Sequence, residues 1–299
     1  MEGGYRVQTS QGSVETRCVL NAAGLYAEEI HAMIAERTFE TRPSRGEYYL
    51  LDKSEGTRVR HVIFQCPTAS GKGVLVAPTA HGNLIVGPTS DRPENCDDVS
   101  NTADGLRRAM ETARKSVPNI DFRASIRNFA GNRALTDRDD FIIEEAEGAR
   151  GFIDIAGIKS PGLSAAPAIA KMAVALLAES GLMLQEKQDF CGTRRRVRFH
   201  ELTAAEKAAL VAEDPAYGRV ICRCEGITEG EIVEAIRRPV GPRSLDAIKR
   251  RCGAGLGRCQ SGFCGPRVLD ILAREWGIDP TEIPQDRAGS FLLTGRTKA

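Results

Sequence analysis

The 299-residue sequence lacks the glycine fingerprint of a dinucleotide-binding unit. No GxGxxG stands between a strand-like run and a helix. The nearest string, Gly253-Ala254-Gly255-Leu256-Gly257-Arg258, fails at its last position and has no strand before it. Gly71-Lys72 is not a P-loop, because the upstream glycine spacing and the following Ser/Thr are missing. The net charge is only +1, so nothing predicts nucleic-acid binding. The first residues, MEGGYRVQTS, lack the apolar core of a signal peptide. The longest apolar stretch, Leu163 to Leu184, is broken by Lys171 and Glu179; it reads as a buried helix rather than a membrane span. Repeats and low-complexity tracts are absent as well.

What is present is an ordinary globular composition, 41% hydrophobic and 27% charged, long enough for about two domains. Nine cysteines without an export signal point to a reducing cytosol. There, clustered cysteines more often bind metal than form disulfides.

Residues 4–183 read as mixed α/β. Strands are expected at 5–9 and 13–20, with a turn at Gln11-Gly12, the second running into NAAGLYAEEI as a strand–loop–helix transition. Further strands are expected at Glu47–Leu51, His61–Phe64, Gly73–Ala77 and Asn83–Gly87. The last two form a hairpin through His81-Gly82-Asn83, which makes His81 a turn residue rather than a base. A helix over 103–116 is capped by Asn101 or Thr102 and stopped before Pro118. Strands follow at 125–130, 140–144 and 151–156. GIKSPGLSAAPAIAKMAVALLAESG then reads as a glycine-bearing loop opening a long helix that ends at Gly181. Residues 184–216 read as a polar linker, and the basic run TRRRVRFH as its solvated part or a dock for an acidic partner.

The C-terminal part carries the clearest chemistry. Cys222 and Cys224 form CRC; Cys259 and Cys264 form CQSGFC within the glycine-rich GAGLGRCQSGFCGP. Two close thiol pairs suit a metal site, and glycine-rich backbone can approach bridging sulfides and donate N–H bonds to them. The one-residue spacer is tighter than a zinc knuckle uses. A [2Fe-2S] cluster leads, with structural zinc and free thiols as alternatives. Three short helices are expected around these loops. The first is capped by Thr228 with Glu231 in a capping box and has Ile232, Val233 and Ile236 on its apolar face. The second is capped by Ser244 and ends near Gly253; the third starts at Pro266, ends at Gly277 and buries Val268, Leu269, Ile271 and Leu272. So small a unit has little apolar core, so metal would contribute to its folding.

The phrases ICRCEGITEGEI, AIKRR and GLGRCQSGFCGP resemble the bacterioferritin-associated-ferredoxin-like [2Fe-2S] domain across residues 218–276. That resemblance implies Cys222, Cys224, Cys259 and Cys264 as ligands. Cys252 departs from the pattern and reads as a small buried side chain. Lys249, Arg250, Arg251 and Arg258 are expected to flank the site and offset its negative charge. The phrases VLNAAGLYAEEI, RGEYYLLD, VLVAPTAHGNLIVGPTS, RNFAGNRAL and GFIDIAGIKSPGLSAAPAIA resemble FAD-dependent oxidoreductases of the D-amino-acid-oxidase-like superfamily, in the branch of the anaerobic glycerol-3-phosphate dehydrogenases.

The expected fold is therefore mixed α/β. It comprises the C-terminal part of a glutathione-reductase-like FAD fold with an antiparallel substrate sheet over 1–183, the linker, a helical [2Fe-2S] domain over 217–280 and a tail over 281–299. The absent glycine fingerprint makes the chain look shortened at its N-terminus. FAD is expected against Ala23 and Gly24, and against Gly157, Ser160, Pro161, Gly162 and Leu163, where small residues let backbone approach and a helix N-terminus faces the flavin. The resemblance points to Arg133 in AGNR, and then to Arg45 in RGEYYLL, as substrate residues, since an arginine can clamp a phosphate or carboxylate with two parallel hydrogen bonds.

The resemblance implies hydride transfer from a substrate C–H to flavin N5. Single electrons then leave through the cluster to a partner subunit or quinone, from the cytosol or from the periphery of the inner membrane. L-2-hydroxyglutarate oxidases and amino-acid or opine dehydrogenase subunits share this architecture, so other 2-hydroxy acids and amines remain alternatives. So do a non-catalytic electron-transfer module and a zinc-stabilised interaction domain. No catalytic base is assigned.

Overall fold

The structure, a computed structural model, describes residues 3–66, 73–194, 196–295 and 297. Gly71-Lys72 and Arg195 of the basic run lie outside the described residues. The chain divides into two compact units, Met1–Asp189 and Phe190–Ala299.

The first unit opens with a hairpin of β1 (Tyr5–Thr9) and β2 (Gly12–Thr16). The strand expected over 13–20 is two strands. It breaks at Arg17-Cys18, and β3 (Val19–Asn21) then pairs in parallel with a strand far along the chain. The short α1 (Ala27–His31) follows, then β4 (Ser44–Leu51). His61–Phe64 is not a strand: only Ile63 bridges, to Val76. The expected hairpin forms from β5 (Leu75–Pro78) and β6 (Leu84–Gly87). α2 (Ala103–Ser116) is capped by Thr102, whose Oγ1 accepts from Gly105 N at 3.0 Å. Next come β7 (Ser125–Arg133), β8 (Ile142–Glu145), β9 (Phe152–Ala156) and α3 (Gly162–Glu179).

Apart from the β1–β2 hairpin, these strands build two sheets. The order β5-β6-β4-β7 is antiparallel, and β3-β9-β8 pairs β3 and β9 in parallel. Leu51, Val76, Leu84 and Val86 of the four-stranded sheet bury against Ala109 and Ala113 of α2. Behind the three-stranded sheet, α3 does not match its expected burial. Only Gly162, Ile169 and Ala173 are buried, and Met172 and Val174 are half-exposed. One seam of small and branched residues meets β8 and β9, and the rest of this apolar helix faces outward. By length and composition alone α3 also meets the requirements of a membrane span, with 17% of it buried.

The second unit has a helix in the stretch read as a linker. α4 (Ala204–Glu213) carries a Thr203–Glu206 capping box. β10 (Val220–Cys222) and β11 (Ile227–Thr228) pair across the CRC loop. α5 (Glu229–Arg237), α6 (Leu245–Cys252) and α7 (Gly265–Trp276) match the expected helices, with Gly253 and Gly277 as left-handed stops. Ile232, Ile248, Leu272 and Ile283 are fully buried in one core, which also takes in Cys222, Cys252 and Cys264. Residues after 280 are tied to α6: Leu245 N and Asp246 N donate to the carbonyls of Pro284 and Gln285.

The α5 capping box is wholly buried. Thr228 N donates to Glu231 Oε2 at 2.9 Å, and Phe199 N reaches Glu231 Oε1 at 3.3 Å. Thr228→Ala is expected to remove about 1–2 kcal/mol of stability. Denaturant unfolding checks this, and an unchanged midpoint would count against the box as a stabilising contact.

Candidate functional site

The first unit contains a cleft of about 650 Å³ where two loops leave one sheet. β3 and β9 are parallel neighbours, with Asn21 opposite Asp154. Their C-terminal ends therefore lie side by side, where open α/β sheets take up ligands. NAAG leaves β3 and GIKSPG leaves β9.

The cleft is lined by Gly24, Arg133, Ser160, Pro161, Gly162 and Leu163, six of the residues singled out in the sequence. Ala23 and Gly157 are adjacent in the two loops but do not line it. Gly24 has φ +60, a left-handed geometry that lets NAAG turn sharply into its helix. Leu163 is 94% exposed, so its side chain packs against nothing in the protein core and stands at the cleft. The N-terminus of α3 opens here with no side-chain cap and no acidic residue in its first turn. Gly162 N donates to the Lys159 carbonyl at 2.6 Å, so the positive dipole end and the N–H groups that follow Gly162 are what an entering group meets.

One buried network fixes the NAAG loop. Asn21 Nδ2 donates to Asp154 Oδ1 at 2.7 Å and to the Ala27 carbonyl at 2.8 Å. His31 Nδ1 lies 2.7 Å from Asp154 Oδ2, and His31 Nε2 lies 2.7 Å from the Glu36 carbonyl. Asn21, His31 and Asp154 are all at most 2% exposed.

The two arginines differ. Arg133 lines the cleft, its guanidinium held by Nε donating to Ser44 O at 3.2 Å and Nη2 to Thr89 O at 2.8 Å. Arg45 is buried and committed to the protein itself: it ion-pairs with Asp98, lies 3.7 Å from Glu47, and donates to Ser100 at 3.1 Å. Its Nε has no partner among the described residues. The Arg45 guanidinium is therefore not presented to the cleft. Sequence reasoning missed Lys159, which lines the cleft between Ile158 and Ser160. Its signal was available, since it lies inside the GIKSPG loop itself.

In the second unit the four cysteines form two pairs, each with one residue from each loop. Cys224 Sγ and Cys259 Sγ are 3.8 Å apart and exposed. Two thiolates on one tetrahedral metal with bonds of about 2.3 Å stand about 3.8 Å apart. Cys222 and Cys264 are buried and hydrogen-bonded to each other. The bond from Cys264, with backbone N–H groups of Gly255, Glu225 and Cys224, outweighs burial and holds the Cys222 thiol down to about 6. The same bond and burial push Cys264 up. Among the described residues, no three His, Cys, Asp or Glu side chains converge as a single-ion site.

Cys252 is a core thiol. It donates to the Ile248 carbonyl at 3.3 Å, and burial pushes it up to about 11. Of the expected flanking cations, Lys249 is buried near Asp246, Arg250 pairs with Asp286, and Arg251 donates to Val240 O at 2.7 Å. Helix α6 turns them to other work, and Arg258 alone adjoins a cluster-loop cysteine.

Residues 1–176 match the family model of FAD dependent oxidoreductases, and residues 220–274 match that of the BFD-like [2Fe-2S] binding domain. The chain belongs to the FAD dependent oxidoreductase family and carries a BFD-like [2Fe-2S] binding domain. It is 52% identical over 297 residues to a glycerol 3-phosphate dehydrogenase of Caloramator mitchellensis, covering 99% of this chain and 62% of that relative. One subunit of the anaerobic glycerol-3-phosphate dehydrogenase of Escherichia coli is 26% identical over 86% of this chain and 52% of its own length. The chain thus spans between about half and three fifths of these two relatives. A solved structure, the dithionite-reduced L-alpha-glycerophosphate oxidase of Mycoplasma pneumoniae with FAD bound, superposes with TM-score 0.56 at 31% identity, over 63% of this chain and 50% of that one.

The glycine loop leaves no room around Cys224. A Cβ on Gly257 would fall 2.1 Å from Cys224 Cβ. Gly257→Ala is expected to displace Cys224 and lower the iron and sulfide held per chain severalfold. Gly131→Ala, where a Cβ meets nothing within 4 Å, is expected to leave both unchanged. Equal iron in the two variants would show that the tight approach is not required.

Proposed function

We propose that this chain is the flavin-contacting and cluster-bearing part of a dehydrogenase that oxidises glycerol 3-phosphate. The observation that carries this reading is the cleft that joins Gly24, Arg133 and the α3 N-terminus at the ends of two parallel strands. The names of the similar proteins support the substrate. When bound, FAD supplies a two-electron acceptor and the [2Fe-2S] cluster a one-electron relay.

In this reading Arg133, pinned by two backbone carbonyls, receives the anionic group of the substrate with its remaining N–H donors. Lys159 adds a second positive charge to the same cleft. Ser160, Pro161, Gly162 and Leu163 bring the uncapped start of α3 to the flavin carbonyls, with Ala23, Gly24 and Gly157 shaping the two loops around it. Cys222, Cys224, Cys259 and Cys264 hold the cluster, since two dithiol pairs suit two irons better than one tetrahedral zinc. Residues 1–183 form the flavin-contacting domain and 217–280 the cluster domain. Electrons would leave to a partner subunit or a quinone pathway, from the cytosol or from the periphery of the inner membrane through a partner.

The test is anaerobic bleaching of bound FAD by glycerol 3-phosphate. Arg133→Ala is expected to raise the half-saturating concentration about 30-fold, from the loss of about 2 kcal/mol of charge-assisted hydrogen bonding, with FAD content unchanged. Bleaching by a 2-hydroxy acid or an amino acid, but not by glycerol 3-phosphate, would sink the substrate assignment. An unchanged half-saturation would remove Arg133 from it.

For Arg45 the expectation is opposite. Arg45→Ala leaves the fully buried Glu47 and the Asp98 carboxylate without their cation, so a loss of about 3 kcal/mol in unfolding experiments is expected, with half-saturation retained once folded.

A further inference from the structure

The exposed thiol pair sits within a patch of a particular kind. Phe263, in the loop between Cys259 and Cys264, is 55% exposed. Its ring lies between two guanidinium groups: Arg223 Cζ is 5.3 Å and Arg267 Cζ 5.7 Å from its centroid. Arg223 stands between Cys222 and Cys224 in sequence, and Arg258 immediately precedes Cys259; Arg223, Arg258 and Arg267 are all exposed. Among the described residues, Arg223 and Arg267 have no acidic ion-pair partner.

Several other arginines of this unit are paired with acids. Arg219 pairs with Glu229 at 2.7 Å, Arg237 with Glu275 at 2.9 Å, and Arg274 with Glu229 at 2.8 Å. The acidic groups near the patch are the half-buried Glu225 and the exposed Asp270, one helical turn beyond Arg267. The rim of Cys224 and Cys259 is therefore cationic around one exposed aromatic ring.

Arginine and aromatic side chains are what protein interfaces enrich, and a stacked guanidinium gives up less hydration on contact than an ammonium. Charges on such a rim act on encounter rate and on choice of partner. We propose that Arg223, Arg267 and Phe263 form the docking surface for an electron-accepting protein whose own redox centre is ringed by carboxylates. This rests on the cluster reading given above. The step it serves moves one electron from the cluster to the acceptor's centre, and no bond is made or broken.

The experiment uses the full chain, with iron, sulfide and the reduced EPR signal measured first. A chain that holds no cluster after reconstitution overturns the cluster reading and the docking surface with it. With cluster present, binding and stopped-flow oxidation are followed with two heme proteins of opposite charge, acidic cytochrome b5 and basic cytochrome c. Cytochrome b5 is expected to bind and to be reduced with a rate that falls tenfold or more between low and high salt. In Arg223→Glu/Arg267→Glu that rate is expected to fall at least tenfold, and in Phe263→Ala severalfold, with cluster content unchanged. Arg223→Ala/Arg267→Ala serves if charge reversal impairs folding. Lys171→Glu/Lys187→Glu, which changes net charge equally in the other unit, is expected to have little effect. Equal rates in all variants, a preference for cytochrome c, or binding to anionic phospholipid vesicles without binding to cytochrome b5 would each overturn the proposal.

Discussion

A carboxylate removed from water must have its charge met on the spot, and Asp154 is 1% exposed. Its two oxygens are satisfied from two different elements, Asn21 at the end of β3 and His31 on α1. Because β3 and β9 run in parallel, that one residue sets how NAAG stands relative to GIKSPG. The NAAG loop is held where it is because a shift would break the buried bonds of Asn21 to Asp154 and to the Ala27 carbonyl. Loop position here is an electrostatic matter before it is a matter of packing.

The same device recurs. Glu47, fully buried on β4, accepts from Thr102 N at 2.7 Å and Thr102 Oγ1 at 2.9 Å, so it fixes the start of α2 against the sheet. Gly105 is required there, since a Cβ would come within 2.3 Å of the Glu47 carboxylate. Glu231 does comparable work in the second unit. With only 5% aromatic residues, the chain has few large rings to lock its elements. Buried acids facing helix N-termini and backbone N–H groups supply the directionality that an aliphatic core does not.

Legibility in the sequence followed the range of the interactions. The cluster unit was readable helix by helix because its signals are local: Thr228 with Glu231, Ser244, Pro266, Gly253 and Gly277 each mark an end within four residues of the element they control. The Thr203–Glu206 box was equally local and shows that a polar stretch is not by itself a linker. In the first unit the strands were visible but their partners were not. The break at Arg17-Cys18 separates a local hairpin from a strand that pairs more than a hundred residues away, and no periodicity records that choice. His61–Phe64 has strand-like residues but finds only one bridge. The cleft residues came from motif resemblance. The distinction between Arg133 and Arg45 came only from three dimensions, because Asp98 and Ser100 are distant in sequence from the arginine they engage.

The placement of the four thiols has a consequence for handling the molecule in air. Cys224 and Cys259 are at the surface, whereas Cys222 and Cys264 are buried. An edge open to an electron acceptor is equally open to dioxygen and peroxide. Within these two loops oxidative decay of the thiols therefore has a direction, beginning at the outer pair as sulfenate or disulfide that a thiol reductant reverses, and reaching the inner pair only after the loop has opened. Loss in air should be staged, with an early recoverable phase set by solvent access and a later permanent one set by unfolding.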